Sequence, residues 1–231
     1  MSQPPPQRPL TYLITNRRAF PHKRDLVGTA TWQPQLNAIR LAAQAGCQFI
    51  QIREKDLSAR QLADFVRAAL RLTRPYGVKV LVNDRLDVAW AAGADGVHLR
   101  INSLPTTLVR EQTTRRGRPD FLIGVSTHSL MEARAAAHSG ANFIVCGPVY
   151  DTPSKREFGA PLGLERFAEI CQSVSLPVFA LGGISLVNFR EPLACGAAGI
   201  AGIGLFTQLD EIPVTVQTLR SPRLPKADDS V

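Results

Sequence analysis

The chain has 231 residues, of which 45% are hydrophobic and 20% are charged, as in an ordinary globular protein with one large core. The net charge of +8 favours an anionic partner, but the basic residues are scattered and only 6% of residues are aromatic, which argues against a nucleic-acid-binding surface. The four cysteines lack CxxC spacing, no apolar run approaches transmembrane length and the first residues lack a signal-peptide core, so we predict a cytoplasmic protein with no membrane partner.

Eight short apolar runs recur along the chain, and we interpret them as strands. Most are continuously apolar and rich in β-branched residues, as strands buried on both faces of a parallel sheet are. The predicted strands span residues 10–15, 47–53, 78–83, 96–99, 122–126, 142–148, 177–183 and 199–204.

Amphipathic segments separate most of these runs and predict helices. In residues 58–74 the apolar side chains recur at helical spacing, and Ser58 and Gln61 fit a capping box at the start. Residues 129–138 and 164–172 show the same pattern.

The repeated alternation of strands and helices predicts an α/β fold, specifically a single-domain (β/α)8 TIM barrel. A doubly wound parallel sheet is the alternative. We assign the barrel to residues 10–220, because the Pro-rich start and the polar end of the chain are typical of disordered segments. The predicted disordered tails are residues 1–9 and 221–231.

The end of the second predicted strand concentrates charge. Strand residues alternate faces, so Gln51, Arg53 and Lys55 are predicted on one side and Glu54 on the other. Two cations on a buried face need an anion, which predicts a phosphorylated ligand. A surface strand with solvated charges is the alternative.

Polar residues also follow the other predicted strands, where a barrel of this class forms its active site. Glycines after the last two strands fit the phosphate-binding site that such barrels often form there, and we expect Ile184-Ser185, after Gly182-Gly183, to open a helix. The other candidate residues at strand ends are Asn83, Asp84, His98, Arg100, Ser126, His128, the segment 147–155, Gly202 and Gly204.

Six short motifs carry these polar residues. They are Gln-x-Arg-Glu-Lys at 51–55, Asn-Asp-Arg at 83–85, Asp-Gly-Val-His-Leu at 95–99, Gly-Val-Ser-Thr-His-Ser at 124–129, Gly-Pro-Val-Tyr at 147–150 followed by Ser-Lys at 154–155, and Gly-Gly-Ile at 182–184. In order and spacing the set resembles the thiamine-phosphate synthases, over roughly residues 11–206. That family joins hydroxymethylpyrimidine diphosphate to a thiazole phosphate in thiamine biosynthesis and releases pyrophosphate with the help of Mg2+.

The resemblance therefore implies a transferase with two small phosphorylated substrates and Mg2+ as cofactor. Arg53, Lys55 and Lys155 are implied catalytic residues, because fixed cations stabilise the charge that develops on a departing diphosphate. Asp84 is the implied Mg2+ ligand. The implied substrate-binding residues are Gln51, Arg53, Lys55, Asn83 and Ser126 for the pyrimidine diphosphate, Thr152, Ser154 and Gly183 for the thiazole phosphate, and Lys155 for the leaving group.

The chain departs from the family pattern after the fourth strand. The synthases follow His-Leu with Gly-Gln-Glu/Asp-Asp, whose last Asp is a second Mg2+ ligand, whereas this chain has residues 100–103 as Arg-Ile-Asn-Ser. Ser103 therefore stands at the ligand position, and the loss of a carboxylate weakens Mg2+ binding.

Two other functions stay open. A thiazole tautomerase shares the same barrel and also lacks that Asp, and His128 could then be its acid–base residue instead of a helix cap. A non-catalytic phosphate-ligand binder is the other alternative. His98 is predicted to be a hydrogen-bonded packing residue. A homo-oligomer is compatible with the sequence.

Overall fold

Residues 8–20, 32–152 and 160–221 are described by the computed structural model of the chain. Their eight strands are all parallel and form a closed barrel, because each strand pairs with the next and β1 also pairs with β8. The closed order confirms the predicted (β/α)8 TIM barrel and excludes the doubly wound sheet, whose edges are open. The strands are β1 (Leu10–Ile14), β2 (Phe49–Ile52), β3 (Lys79–Asn83), β4 (Gly96–Leu99), β5 (Leu122–Thr127), β6 (Phe143–Cys146), β7 (Val178–Ala180) and β8 (Gly199–Gly202).

A helix follows each strand in the described parts of the chain. The capping box predicted for the second helix is present: the backbone N–H of Gln61 donates to Ser58 Oγ over 3.3 Å, and the backbone N–H of Ser58 donates to Gln61 Oε1 over 3.0 Å. None of the described helices is long and apolar enough to cross a bilayer. The helices are α1 (Gln33–Gln44), α2 (Ala59–Thr73), α3 (Leu86–Ala92), α4 (Thr106–Arg115), α5 (Leu130–His138), α6 (Gly163–Ser173), α7 (Arg190–Ala194) and α8 (Ile212–Arg220).

Aromatic rings fill the interior of the barrel. The rings of Tyr12, Phe143 and Phe179 meet edge to face, with centroids 5.4 to 5.6 Å apart, and Phe49 packs against all three. Edge-to-face contact is the favourable arrangement for aromatic quadrupoles. Because the centre is closed in this way, a ligand can reach the interior side chains only at an end of the barrel.

Alternation along each strand decides which side chains reach that interior. Leu81 lies in the interior layer, whereas Val80 and Val82 lie in the outer layer under the helices. Gln51 and Asn83 follow the inward-facing residues Phe49 and Leu81 by two positions, so they also point inward, at the C-terminal ends of β2 and β3.

Two local predictions are wrong. Strand β2 ends at Ile52, so Lys55 lies in the exposed turn after it and strand alternation does not set its direction. The helix after Gly183 begins later than predicted: the Ser185 N–H donates to Asn188 Oδ1 over 2.8 Å and the Phe189 N–H donates to Ser185 O over 3.1 Å in a turn, and α7 begins at Arg190. The predicted tails lie almost wholly outside the described residues.

Candidate active site

The C-terminal ends of the strands form one mouth, and several predicted site residues lie there. Gln51 and Asn83 are joined by a hydrogen bond of 2.9 Å from Gln51 Nε2 to Asn83 Oδ1. Arg53 and Asp84 follow β2 and β3 directly, and Ser126 lies near the end of β5. Parallel strands in a closed barrel bring these ends together, so the five side chains share one opening.

Three further predicted residues that the structure describes, Thr152, Gly183 and His128, lie on other parts of the rim. Thr152 and Gly183 lie in the loops after β6 and β7. Ser154 and Lys155 lie outside the described residues. His128 is exposed, and its Nδ1 lies 3.2 Å from Glu132 Oε2, which also accepts the His128 backbone N–H over 2.7 Å, so both groups take part in the first turn of α5.

A buried chain of hydrogen bonds connects the aromatic interior to the mouth. Tyr12 Oη lies 3.1 Å from His98 Nδ1, and His98 Nε2 lies 2.9 Å from Ser126 Oγ. Tyr12 and His98 are both almost completely buried. This bears out the interpretation of His98 as a hydrogen-bonded packing residue.

The proton positions along these hydrogen bonds follow from the need of the buried Tyr12 hydroxyl for an acceptor. Its ring packs among apolar rings, and the hydrogen-bond partner of its hydroxyl among the described residues is His98 Nδ1. A buried donor without an acceptor is costly, so the Tyr12 O–H donates to Nδ1 and the imidazole carries its proton on Nε2. Nε2–H then donates to Ser126 Oγ. The Ser126 O–H is therefore left to donate to a ligand in the mouth.

Burial keeps the His98 ring neutral. It lowers the pKa of His98 from 6.5 to about 3, and the Arg53 charge acts in the same direction, whereas Asp84 opposes it. A ring with this pKa does not carry a second proton at neutral pH. His98 thus holds Ser126 by a hydrogen bond from a neutral ring.

Lowering the pH from 7 to 5 should reduce the free energy of unfolding. An unfolded histidine takes up a proton near pH 6.5, whereas folded His98 does not until about pH 3, so the unfolded state binds more protons in between and gains stability as the pH falls. The wild type should lose about 2 kcal/mol more than His98→Gln between pH 7 and 5 in urea denaturation. A pH dependence in His98→Gln equal to that of the wild type would contradict the assignment.

Arg53 is a cation at the mouth, directly after β2. Its backbone N–H donates to Thr15 Oγ1 over 2.8 Å, which fixes the chain as it leaves β2. Burial lowers the pKa of the guanidinium; the neighbouring Glu54 opposes this shift, and the Arg100 charge adds to it. Within the described residues the guanidinium forms no ion pair closer than 4 Å. A half-buried cation of this kind is a site for an anion.

Asp84 is held at the mouth by three contacts. Its backbone has φ of 64°, an uncommon conformation that aspartate tolerates, and its N–H donates to His98 O over 2.8 Å. Arg100 Nε donates to Oδ2 over 2.6 Å, and the Ser103 hydroxyl donates to Oδ1. Both carboxylate oxygens are therefore engaged.

These contacts test the implied Mg2+ site. Mg2+ is held by carboxylate oxygens together with waters and substrate phosphates, in octahedral geometry. Here the one carboxylate faces a guanidinium, whose charge repels a dication, and the described residues contain no group of three or more His, Cys, Asp or Glu side chains that could hold a metal. The residues do not fit a Mg2+ ion in this arrangement, and the role of Asp84 as its ligand stays a prediction.

The loops after β6 and β7 form a seam on the other side of the mouth. Leu181 O accepts the Val149 N–H over 2.9 Å, and Gly182 O accepts the Tyr150 N–H over 3.1 Å. At Gly147 an added Cβ would lie 2.0 Å from Leu181 O, so only glycine allows the two backbones to approach this closely. Main-chain hydrogen bonds therefore join the two loops on this side of the mouth.

Two contacts of this site were not predicted from the sequence. Tyr12 reads as an ordinary interior residue of β1, and only its distance to His98 reveals that it fixes the imidazole. Arg100 was noted at a strand end, but its ion pair with Asp84 could not be foreseen from a separation of 16 residues. The available signal was the unusual Arg-Ile-Asn-Ser segment at 100–103.

Comparison with known proteins agrees with this geometry. A family model described as thiamine monophosphate synthase matches residues 12–206. A provisionally named thiamine-phosphate synthase of Geobacter sulfurreducens is 46% identical over 190 residues, which cover 82% of this chain and 83% of that protein. The thiamine-phosphate synthase of Methanoculleus marisnigri is 41% identical over 181 residues, which cover 78% of this chain and 84% of that protein.

Solved structures give the same result. The thiamine phosphate pyrophosphorylase of Pyrococcus furiosus superposes with a TM-score of 0.76 at 32% identity, covering 91% of this chain and 93% of that one. A 3-hexulose-6-phosphate synthase, 15% identical with a TM-score of 0.65, shares the fold alone. The match over residues 12–206, together with relatives above 30% identity over most of their length, establishes that the chain belongs to the thiamine monophosphate synthase family.

Proposed function

We propose that this chain is a thiamine-phosphate synthase, which joins hydroxymethylpyrimidine diphosphate to a thiazole phosphate and releases pyrophosphate. The observation that carries the proposal is the half-buried Arg53 guanidinium, which has no ion-pair partner among the described residues and lies at the same mouth as Asn83 and Ser126. A diphosphate supplies the missing negative charge. Family membership supports the same reaction.

In the proposed reaction the bond between the pyrimidine methylene carbon and the diphosphate oxygen breaks, and the diphosphate leaves with the electron pair. The thiazole nitrogen then forms the new C–N bond. The pyrimidine can support the intermediate cation, so the chain needs to supply no nucleophile. Its task is to stabilise the leaving charge, with the Arg53 guanidinium, the Ser126 O–H and the Asn83 amide N–H as preorganised donors.

The other predicted contacts complete the proposal. Lys55 and Lys155 would add positive charge at the diphosphate, and Gln51 would orient Asn83 through their hydrogen bond. Thr152, Ser154 and the backbone of Gly183 would hold the thiazole phosphate. As arranged here, with both Asp84 oxygens engaged, the described residues do not fit the implied Mg2+ ion, so no step is assigned to it. The reaction is proposed to take place in the cytoplasm.

Incubation of the purified chain with both phosphorylated precursors tests the function. We expect thiamine phosphate and pyrophosphate to form together, in equal amounts, as measured by mass spectrometry and a phosphate-release assay, and neither to form when one precursor is omitted. Isomerisation of the thiazole carboxylate phosphate without coupling would contradict the proposal and favour the tautomerase. Binding of both ligands without either reaction would favour the non-catalytic binder.

A further inference from the structure

Arg100 presents an anchored guanidinium at the mouth. Its Nε donates to Asp84 Oδ2 over 2.6 Å, and Nη2 contacts the same oxygen. The Arg100 side chain is 52% exposed, whereas that of Asp84 is only 15% exposed. Within the described residues Nη1 makes no hydrogen bond. One edge of the planar group is thus fixed by Asp84, and the Nη1 edge is available to another acceptor.

Arg100 and Arg53 flank the same opening. Asp84 follows Asn83, which accepts a hydrogen bond from Gln51, and Arg53 lies two residues beyond Gln51. The two guanidinium groups are near enough that the Arg100 charge lowers the pKa of Arg53. Two like charges beside a partly desolvated opening repel each other unless an anion lies between them.

We propose that Arg100 binds the diphosphate of the substrate together with Arg53, and that Asp84 positions Arg100 instead of holding a metal ion. The assignment rests on the proposed function, which supplies the diphosphate. A guanidinium fork matches phosphate oxygens through paired N–H donors, and it holds its charge at any physiological pH. Ser103 completes the arrangement, because its hydroxyl engages Oδ1 and leaves Oδ2 to Arg100.

This arrangement has a consequence for the metal dependence of binding. A Mg2+ ion at Asp84 would have to displace Arg100 and would lie beside its positive charge. A single carboxylate whose charge is already neutralised by Arg100 contributes little binding free energy to the ion. Diphosphate binding by this chain should therefore depend only weakly on Mg2+.

Calorimetric titration of the full chain with inorganic pyrophosphate tests the proposal, in EDTA and in excess Mg2+. The wild-type affinity should differ by less than about threefold between the two conditions, since no bound ion is needed. Arg100→Gln should weaken binding about 10- to 100-fold in EDTA, the scale of a charge-assisted hydrogen bond. In the double variant Arg100→Gln/Ser103→Asp, binding should recover only when Mg2+ is present, because two carboxylates then face the opening.

Arg115→Gln is the matched control. It removes the same charge from an exposed pair with Glu111 at the end of α4, remote from the mouth, and should leave the affinity unchanged. Thermal unfolding of each variant checks that the fold is retained. The proposal is overturned if wild-type binding requires Mg2+, or if Arg100→Gln binds pyrophosphate as tightly as the wild type in EDTA.

The two proposals fail in different ways. Thiamine phosphate formation by a chain whose Arg100→Gln variant binds pyrophosphate normally would overturn the role of Arg100 and leave the proposed function standing. The expected binding pattern without product from the two precursors would overturn the synthase function and support Arg100 as an anion-binding residue.

Discussion

Replacing Arg53 with glutamine should weaken binding of hydroxymethylpyrimidine diphosphate by about 1.5 to 3 kcal/mol, or about 10- to 150-fold, because it removes the desolvated cation from the mouth. The Arg53 backbone N–H keeps its bond to Thr15 Oγ1 in the variant, so the end of β2 should stay in place. Binding of the thiazole phosphate should change much less. Calorimetry with each ligand measures both effects.

Arg67→Gln is the control for this change. Arg67 lies on α2 in an exposed ion pair with Asp64, and its loss lowers the net charge of the chain by the same amount. It should leave both affinities unchanged. Equal weakening of the two ligands by Arg53→Gln would show that Arg53 supports the fold instead of binding the diphosphate.

Replacing Gly183 with alanine should weaken binding of the thiazole phosphate by about tenfold or more, the scale of lost hydrogen bonds to a charged group. Gly183 has φ of +66°, and an added Cβ would lie 2.6 Å from Tyr150 Cβ and 2.7 Å from Asp151 O. The loop after β6 must move away to make room, and it carries Thr152. Binding of pyrophosphate on the other side of the mouth should stay the same.

Gly77→Ala separates this contact from backbone strain. Gly77 has φ of +68°, and an alanine there would meet nothing within 4 Å. Gly77→Ala should therefore lose only about 1 to 2 kcal/mol of stability, the cost of the left-handed conformation, whereas Gly183→Ala should lose more because its Cβ also displaces the loop after β6, as measured by urea denaturation. Only Gly183→Ala should also lose ligand affinity. Equal ligand binding by the two variants would show that the seam does not shape the site.

The fold could be predicted because each strand is indicated by the residues of its own segment. Each strand is an apolar run bounded by polar residues, and the run at 96–99 coincides with β4. The predicted strand ends are less accurate where apolar residues continue beyond the last hydrogen bond between neighbouring strands. The run predicted at 142–148 is an example, because the strand ends at Cys146 although Pro148 and Val149 follow.

The positions of the polar site residues could also be predicted, since a parallel barrel places the C-terminal ends of all its strands at one mouth. What escaped prediction are contacts between distant segments. The bond from Tyr12 to His98 joins residues 86 apart, and the contacts of Asp84 with Arg100 and Ser103 depend on the course of a loop. The spacing of apolar residues along the sequence predicts neither set of contacts. The family and the synthase function were nevertheless predicted correctly, because short motifs preserve the residues at these ends.

The seam between the loops after β6 and β7 makes the two halves of the mouth differ in how they can evolve. Around β2 to β4 the ligand meets side chains, and one nucleotide change can alter a charge there without disturbing the barrel. Along the seam the two loops hold each other through main-chain hydrogen bonds, which no single substitution exchanges for others. Duplicated copies of this gene should therefore diverge first in the anion held near Arg53 and Arg100, and change along the seam only when an insertion or deletion moves a whole loop.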